Sequence, residues 1–417
     1  MNFQMGKFYL FILLIIFAEV FALRFKAVFS YRNFLLSSKN PFTLTLVKEP
    51  VRYKYYQILD VGYFKVKTKN MEDFKPGDIL KVLLRGDVYE VSKVSEVWYA
   101  GFLHYFSDMR ENIKNIFFEN FPSPYGELLA GMTLGVKEIP NDFNEALIRV
   151  GLIHVVVVSG FNITLVISAL FPLFLIFGRK YAFVLSSVGV ALFVMIVGFE
   201  PPVIRAAIMG LIVLVGKFLG RERDMFAILV LTAFIMLFVN PLLISDLSFI
   251  LSFLATSGII CGDWILNMVW GRRLLSNAPK FLMDVAETFA DDFKSTLTAQ
   301  LFVWPIISYT FGRISLISIL VNVFTLWTVP ITTVLGFVYI AVYFVLHSLG
   351  LSSLLGFLSF IFLIPLAYFA DIVRLFSGFS FSSIDFGVGK MFLVFYYLFL
   401  FILCYLGYAR SSFRKND

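Results

Sequence analysis

The stretch GLIHVVVVSGFNITLV, residues 151–166, places several polar side chains in an apolar segment. His154 can exchange protons near neutral pH, while Ser159 and Asn162 can donate and accept hydrogen bonds. Four valines in a row slightly disfavour a helix, and the Ser159-Gly160 pair that follows is expected to interrupt it. Broken backbone at membrane depth is tolerated only where protein or water satisfies its polar groups. The stretch fits either the wall of a polar path or close helix packing through small residues, and spacing alone does not decide.

A second polar group occurs in GFEPPVIRAAIMGLI, residues 198–212. Pro201 and Pro202 interrupt the preceding segment and suit the first turn of a new helix. Glu200 would then lie at the positive end of that helix's dipole. Arg205 would follow about one turn inside, either as a fixed positive charge at a pore mouth or as a side chain that reaches the membrane interface.

A third group is NPLLISDLSFILSFLATSGII, residues 240–260. Asp246 opens this segment and can line a water path or cap the helix that follows. Ser248 and Ser252 are four residues apart, so a helix would place them on one face. Such a stripe can line a water path or join helices by hydrogen bonds.

A fourth segment, residues 295–330, combines membrane-span apolarity with polar side chains such as Gln300 and Asn322. Pro305 and Pro330 are expected to break its helices, because proline removes a backbone donor and clashes with the preceding turn. Together the four segments predict a membrane interior with broken or re-entrant helices.

The composition requires a membrane setting for these segments. Of 417 residues, 59% are hydrophobic and 15% are charged, against about 25% charged residues in ordinary soluble domains. We therefore expect a mainly α-helical, multi-pass membrane protein with about ten spans. The spans after the first, which covers residues 8–23, are expected at 152–177, 181–198, 203–219, 225–243, 246–268, 296–311, 314–347, 351–376 and 390–409.

The composition also limits the chemistry. The chain has three histidines, far apart in sequence, and two cysteines, both in apolar runs, so we expect no metal site, no disulfide framework and no cofactor. We find no paired carboxylates or nucleophile group at convincing spacing, and no GxxxxGK[ST] nucleotide-binding loop. We expect a protein that is not an enzyme, with a membrane enzyme acting on lipid or cell-wall precursors as the least favoured alternative.

Residues from about 30 to 100 have a different pattern. Runs such as PFTLTLVK, RYKYYQIL, GYFKVKTK, DILKVLLRG and DVYEVSKVSEVWY alternate β-branched and aromatic residues between turn signals. Five short strands predict a small OB-like β-barrel. The following segment, residues 102–121, has the two-faced pattern of an amphipathic helix, and so do residues 278–295.

Basic loops set the expected orientation. Residues 178–180, 216–224 and 270–275 are all basic, and cytoplasmic loops carry the excess of Lys and Arg. If the first span runs from inside to outside, all three loops and the basic tail are cytoplasmic, and the β-domain is outside.

At these segments the chain resembles the ComEC competence proteins, proposed inner-membrane channels that carry single-stranded DNA into bacteria during transformation. The matching pieces occur in family order, from the β-domain with FKPGD to about residue 345. They are GELLAGMTLGVKEIPNDFNEALIRVGLIHVVVVSGFNITLV, EPPVIRAAIMGLIVLVGKFLGRERD, LVLTAFIMLFVNPLLISDLSFILSFLATSGI and TLTAQLFVWPIISYTFGRISLISILVNVFTLWTVP.

The resemblance implies five parts in the chain. They are an N-terminal transmembrane segment (1–29), an extracellular OB-like β-domain (30–100), an amphipathic helical connector (101–150), a competence-type transmembrane channel domain (151–409) and a basic cytoplasmic tail (410–417). It also implies pore-lining roles for one set of residues: His154, Ser159, Gly160, Asn162, Arg205, Asp246 and Ser252. Pro201, Pro202, Pro305 and Pro330 would break helices around that path.

The implied partners are single-stranded DNA, the lipid bilayer of the bacterial cytoplasmic membrane, an external DNA receptor and a cytoplasmic motor protein, with a second copy of the chain as a further candidate. The family often has His where this chain has Asn162. Many members also have a metallo-β-lactamase-like domain, whose His/Asp-rich motif is not found in these 417 residues, so we expect no nuclease activity. The alternative function is a secondary transporter or flippase for another anionic substrate.

Overall fold

A computed structural model describes residues 2–37, 40–52, 55–85, 88–156, 160–220, 224–269, 280–351, 353–379 and 382–413. Within these ranges the chain is mainly helical. The helices are α1 Asn2–Ser37, α2 Ala100–Asn120, α3 Tyr125–Leu134, α4 Asn141–Val150, α5 Ile153–Val156, α6 Gly160–Leu175, α7 Arg179–Val197, α8 Pro201–Leu219, α9 Met225–Val239, α10 Leu247–Val269, α11 Lys280–Phe311, α12 Ser318–Thr325, α13 Thr328–Ser348, α14 Ser353–Ser377 and α15 Lys390–Phe413, with a 3-10 turn at Pro241–Ser245.

The β-domain consists of two three-stranded antiparallel sheets around one apolar core. The strands are β1 Phe42–Thr45, β2 Val51–Arg52, β3 Gln57–Asp60, β4 Lys65–Thr68, β5 Asp78–Arg85 and β6 Val88–Glu96, and a further pair, β7 Arg313–Ser315 and β8 Ser383–Asp385, joins the segments before α12 and α15. The sheet orders are β1-β5-β6 and β2-β3-β4. Alternating side chains of both sheets, among them Leu59 and Leu80, are buried in the shared core, which also receives Leu35 from the end of α1.

The strands lie where they were predicted, but the described residues of the β-domain form six instead of five, and the OB-like barrel is not closed. The predicted strand at RYKYYQIL divides into β2 and β3, and β2 has only two residues. Among the described residues, β2 pairs only with β3 and β1 only with β5. A two-residue strand forms too few ladder hydrogen bonds to join the sheets, so the barrel stays open.

Four helices are long and apolar enough to cross a membrane: α7, α8, α13 and α14 from Leu354. Shorter apolar helices accompany them at Asn162–Leu175, Met225–Val239, Leu247–Gly262 and Lys390–Cys404. The chain is therefore a multi-pass membrane protein. Exposed leucine, valine and phenylalanine side chains along these helices are the surface that lipid would cover.

Two predicted element boundaries are wrong. Within the expected span 152–177, the described residues form two helices, since α5 ends at Val156 and α6 begins at Gly160, and residues 157–159 lie outside the described ranges. Conversely, the interfacial helix expected at 278–295 and the span expected at 296–311 are one helix, α11, which continues through Pro305 to Phe311. Pro305 therefore does not end its helix.

The β-domain packs on one end of the helix bundle through ion pairs. Lys48 Nζ lies 3.5 Å from Glu200 Oε2 in the α7–α8 turn, and Arg110 of α2 pairs with Glu49. The α6–α7 turn, with its basic residues, lies at the opposite end of α7. The amphipathic prediction for α2 is confirmed, because Phe106, Ile113, Ile116 and Phe117 on one face are buried.

Candidate functional site

Arg205 is a membrane-embedded cation that is paired with a hydroxyl and an aromatic ring. Its Nη1 donates a hydrogen bond to the Thr256 hydroxyl on α10, and its guanidinium carbon lies 5.9 Å from the centre of the Phe253 ring. Its Nε is buried without a hydrogen-bond partner. No carboxylate forms an ion pair with Arg205 in the part of the chain that the structure describes. A charge at this depth is costly unless water or an anion compensates it.

The first residue of α6 is packed directly against this cation. A Cβ built on Gly160 would lie 3.3 Å from Arg205 Nη2 and 3.2 Å from the Cβ of Ala206. The absence of a side chain at Gly160 lets the start of α6 approach α8 closely. The structure thus brings together two residues, Gly160 and Arg205, that the sequence placed in separate motifs.

The α10 residues face Arg205 in different ways. Thr256 donates a hydrogen bond to the Ser252 carbonyl (3.0 Å), so Ser252 lies one turn away along the same helix. The Ser252 hydroxyl is buried and has no hydrogen-bond partner among the described residues. Asp246, in contrast, caps α10, since its Oδ1 accepts from the backbone N–H of Phe249 at 2.9 Å. This contact supports the capping interpretation of Asp246. Among the described residues, no contact joins the Asp246 carboxylate to Arg205.

Asn162 joins three helices in the interior. Its Nδ2 donates to the Met132 carbonyl of α3 at 2.8 Å, and the Thr332 hydroxyl of α13 lies 3.2 Å from Met132 Sδ. Asn162 is 2% exposed, and its Oδ1 is buried without a partner. The amide therefore ties α6 to α3, while one acceptor remains open to water or a passing ligand.

The other predicted residues take separate positions. His154 is exposed on α5, and no contact places it beside Arg205. Ser159 lies outside the described residues. Pro201 and Pro202 are the first residues of α8, as expected for a helix start. Pro330 lies in the first turn of α13, after α12 has ended at Thr325, so the break precedes it.

A further polar layer lies between α11, α12 and α13. Gln300 donates from Nε2 to the Ser318 hydroxyl at 2.7 Å, and its Oε1 is buried without a partner. Asn322 Oδ1 and Thr333 Oγ1 are buried and equally unpartnered within the described chain. Buried polar atoms in folded proteins are nearly always satisfied by protein or water, so this layer is suited to hold water.

Glu200 is the N-cap residue of α8 and has the opposite charge to its neighbours Lys137 and Lys48. Its Oε1 lies 2.9 Å from Lys137 Nζ and its Oε2 lies 3.5 Å from Lys48 Nζ. Burial alone would raise the pKa of this carboxyl, but the two ammonium groups outweigh burial and lower it. Glu200 is therefore ionised at neutral pH and holds the β-domain against the bundle, about 7–8 Å along the helix axis from Arg205.

One group of possible metal ligands lies where strands β5 and β6 of the β-domain meet α2. Asp78, Glu96 and His104 bring their ligand atoms close together, although the sequence predicted no such site. Lys93 Nζ lies 2.8 Å from Asp78 Oδ1 and 2.5 Å from Glu96 Oε1, and the hydrogen bonds that the ammonium donates to these carboxylates, Asp78 first, raise the pKa of Lys93. The ammonium compensates both carboxylates, so this group is a structural ion-pair cluster.

The sequence indicated Arg205 and Gly160 as separate candidates, but it did not indicate that the two residues are in contact. Thr256 was one of several hydroxyl residues along α10. Spacing could not show that Thr256, and none of the acidic residues that the structure describes, would pair with Arg205. Lys48 and Lys137 carried no signal, because each lies far from Glu200 in sequence.

Comparison with known proteins gives two matches. The family model described as "Competence protein" matches residues 132–410. The chain is similar to ComE operon protein 3 of Bacillus subtilis (strain 168), with 27% identity over 199 residues, which are 47% of this chain and 24% of that protein. The match therefore spans about a quarter of that relative's length. No solved structure matches.

Proposed function

We propose that this chain, which belongs to the Competence protein family, forms a membrane channel that imports single-stranded DNA during natural transformation. The observation that carries the proposal is Arg205, an embedded cation that no described carboxylate neutralises. It lies where α6, α8 and α10 meet, beside Gly160 and Thr256.

The chemistry of DNA fits this arrangement. The strand carries one negative charge per nucleotide, so a passing phosphate needs a positive group that is not already paired. Arginine offers five N–H donors in a planar fork that matches phosphate oxygens. The buried Nε of Arg205 has no partner among the described residues, and Arg205 is about one turn from Pro201, where the positive end of the α8 dipole lies.

Buried polar atoms on α6, α10, α11 and α12 would supply the rest of a wet path. The unpartnered atoms of Ser252, Asn162, Gln300 and Asn322 can hold water. The Phe253 ring beside the guanidinium offers a face on which bases can stack without sequence preference. We propose that these groups line the path and that His154 and Ser159 contribute to its wall.

The proposed location is the bacterial cytoplasmic membrane, with the β-domain outside. The β-domain contacts the α7–α8 turn, and the basic α6–α7 turn lies at the other end of α7, which is the arrangement that the positive-inside rule favours. The outward β-domain would receive DNA from an external receptor, and a cytoplasmic motor would draw the strand inward. The chain's own role is transport, not catalysis.

The test is nuclease-protected DNA uptake in the native cell, with and without this protein, with surface-bound DNA scored in parallel. We expect surface binding to persist and protected internal DNA to disappear when the protein is absent. Unchanged internal DNA in its absence would reject the proposal.

A second candidate function is transport or flipping of another anionic substrate. The start of α8 at two prolines, with a cation one turn inside, is also the arrangement by which half-helices bind small anions. The two functions differ in length dependence, because a channel should respond to the chain length of DNA while a transporter should saturate with a small solute.

A further inference from the structure

A separate cleft of about 650 Å³ lies where α1 meets the β-domain and the turn after α9. Its polar lining includes Arg24 and Tyr31 of α1, Thr43 and Tyr63 of the β-domain, and Asn240 after α9. This volume is within the range of sites that bind small ligands, about 300–1,000 Å³. None of these residues belongs to the Arg205 cluster.

Arg24 gives the cleft a positive charge. Its guanidinium carbon lies 4.9 Å from the centre of the Phe238 ring of α9. Its side chain is exposed, and none of the ion pairs formed by the described residues involves it. A guanidinium stacked on a ring keeps its N–H edge available for an anion, and phosphate is the planar fork's usual partner.

The polar wall of the cleft is suited to a headgroup. The Tyr31 and Tyr63 rings meet edge to face at 5.4 Å between centres, and each has a hydroxyl that can donate to a phosphate or glycerol oxygen. Asn240 Oδ1 accepts a hydrogen bond from the Leu242 backbone N–H at 3.1 Å. The Nδ2 group of Asn240 therefore points away from that N–H. Aromatic residues with a polar tip are typical of the membrane interface.

The walls that α1 and α9 contribute to the cleft include the apolar Val28 and Val239, and exposed apolar side chains are the sequence neighbours of its polar residues. Leu23 beside Arg24 and Val239 beside Asn240 are each 70% exposed, and Phe238 is 44% exposed. α1 and α9 thus offer lipid-like surface, and the β-domain offers polar surface. A ligand that fits both surfaces has an anionic head and hydrocarbon chains.

We propose that this cleft binds one anionic glycerophospholipid, with its phosphate on Arg24, its headgroup between Tyr31 and Tyr63, and its acyl chains along Leu23 and Val239. The bound lipid would join α1, α9 and the β-domain. These apolar side chains favour a lipid over a DNA strand, because a nucleic acid backbone has no group that they would desolvate favourably.

The test uses the full-length chain in detergent and native mass spectrometry with added phosphatidylglycerol, and phosphatidylcholine of the same acyl chains as the zwitterionic comparison. We expect retained phosphatidylglycerol to exceed phosphatidylcholine, and Arg24→Gln to weaken its binding about tenfold. Lys26→Gln is the matched control, since Lys26 is exposed on α1 and does not line the cleft. It should change binding less than about twofold.

Competition distinguishes the sources of phosphate. Neither inorganic phosphate nor a 20-nucleotide oligo(dT) should displace the lipid. Displacement by phosphate alone would show a simple anion site, and displacement by oligo(dT) would show a DNA site. If Arg24→Gln retained as much phosphatidylglycerol as the parent, Arg24 would not bind the lipid. Each of these results overturns the proposal. If Arg24→Gln does not fold, Tyr63→Phe decides, because it keeps the ring contact with Tyr31 and should still weaken lipid binding measurably. DNA uptake is a different readout, so the failure of this proposal leaves the channel proposal standing.

Discussion

The guanidinium of Arg205 donates to the hydroxyl of Thr256, and no carboxylate among the described residues pairs with it. A hydroxyl positions a guanidinium without neutralising it. The cation therefore keeps its charge toward whatever fills the space between α6, α8 and α10. An Asp at position 256 would form a stable ion pair and leave nothing for a passing phosphate.

The contact between Gly160 and Arg205 leads to the first prediction. A valine at position 160 would need space already taken by Ala206 Cβ and Arg205 Nη2, so α6 must move away from α8. We expect Gly160→Val to reduce nuclease-protected DNA uptake about tenfold or more while the protein still inserts. Gly356→Val is the control, because a Cβ at Gly356 meets nothing within 4 Å. Equal uptake by the two variants would separate the Gly160 contact from transport.

The tie between Asn162 and Met132 predicts a change in stability. Asn162→Ala removes the donor to the Met132 carbonyl and should lower the free energy of unfolding by about 1–3 kcal/mol, measured as a fall in Tm of the detergent-solubilised chain. Asn162→His retains a ring donor and should lose less. Ser187→Ala is the reference, since the Ser187 hydroxyl donates only within its own helix, to Phe183 (2.8 Å). A Tm for Asn162→Ala equal to that of Ser187→Ala would contradict the tie.

Glu200 predicts a pH dependence of β-domain packing. Because its folded-state pKa is lowered, its ion pairs stabilise the fold above its ordinary pKa of about 4.3 and lose that effect as pH falls through the lower folded-state value. We expect Glu200→Gln to unfold at a lower temperature than the parent at pH 7, with a difference that shrinks on acidification. Glu119→Gln, at an exposed position of α2, should match the parent throughout. A pH-independent difference would assign the effect of Glu200→Gln to something other than charge.

The proposed orientation predicts the labelling of two engineered cysteines. Lys69 is exposed on the β-domain and Lys180 is exposed in the first turn of α7. A membrane-impermeant maleimide should label Lys69→Cys in intact cells and Lys180→Cys only after permeabilisation. The native Cys261 is buried, and the parent chain gives the background. The reverse pattern would invert the topology.

Sequence patterns predicted elements better than contacts. Apolar length gave most helices of the bundle, and alternation gave the strands, because both signals are local. The charged segment 278–295 was predicted from composition to be an interfacial helix. From Lys280 it is instead continuous with the apolar part of α11, because one helix can continue from a polar into an apolar environment. The closed barrel was predicted wrongly, because closure depends on pairing between strands far apart in sequence.

The candidate site shows the same division. Arg205, Gly160 and Ser252 could be selected from polarity within apolar runs, because such residues are costly without a role. Asp246 was selected by the same rule, but its carboxylate caps a helix, a local use that the same residue type serves equally well. Cys261 and Cys404 lie side by side on α10 and α15, which no spacing rule indicates. Which polar residues face each other depends on helix rotation, and one sequence does not specify it.

The most direct test of the account is nuclease-protected uptake of single-stranded DNA by cells carrying Arg205→Ala, Arg205→Lys or the control Lys180→Ala, each at equal membrane abundance. We expect Arg205→Ala to lower the uptake about tenfold or more. Arg205→Lys should keep part of the uptake because the charge remains, and Lys180→Ala should resemble the parent. Uptake by Arg205→Ala equal to that of the parent would place Arg205 outside the DNA path and contradict the central claim.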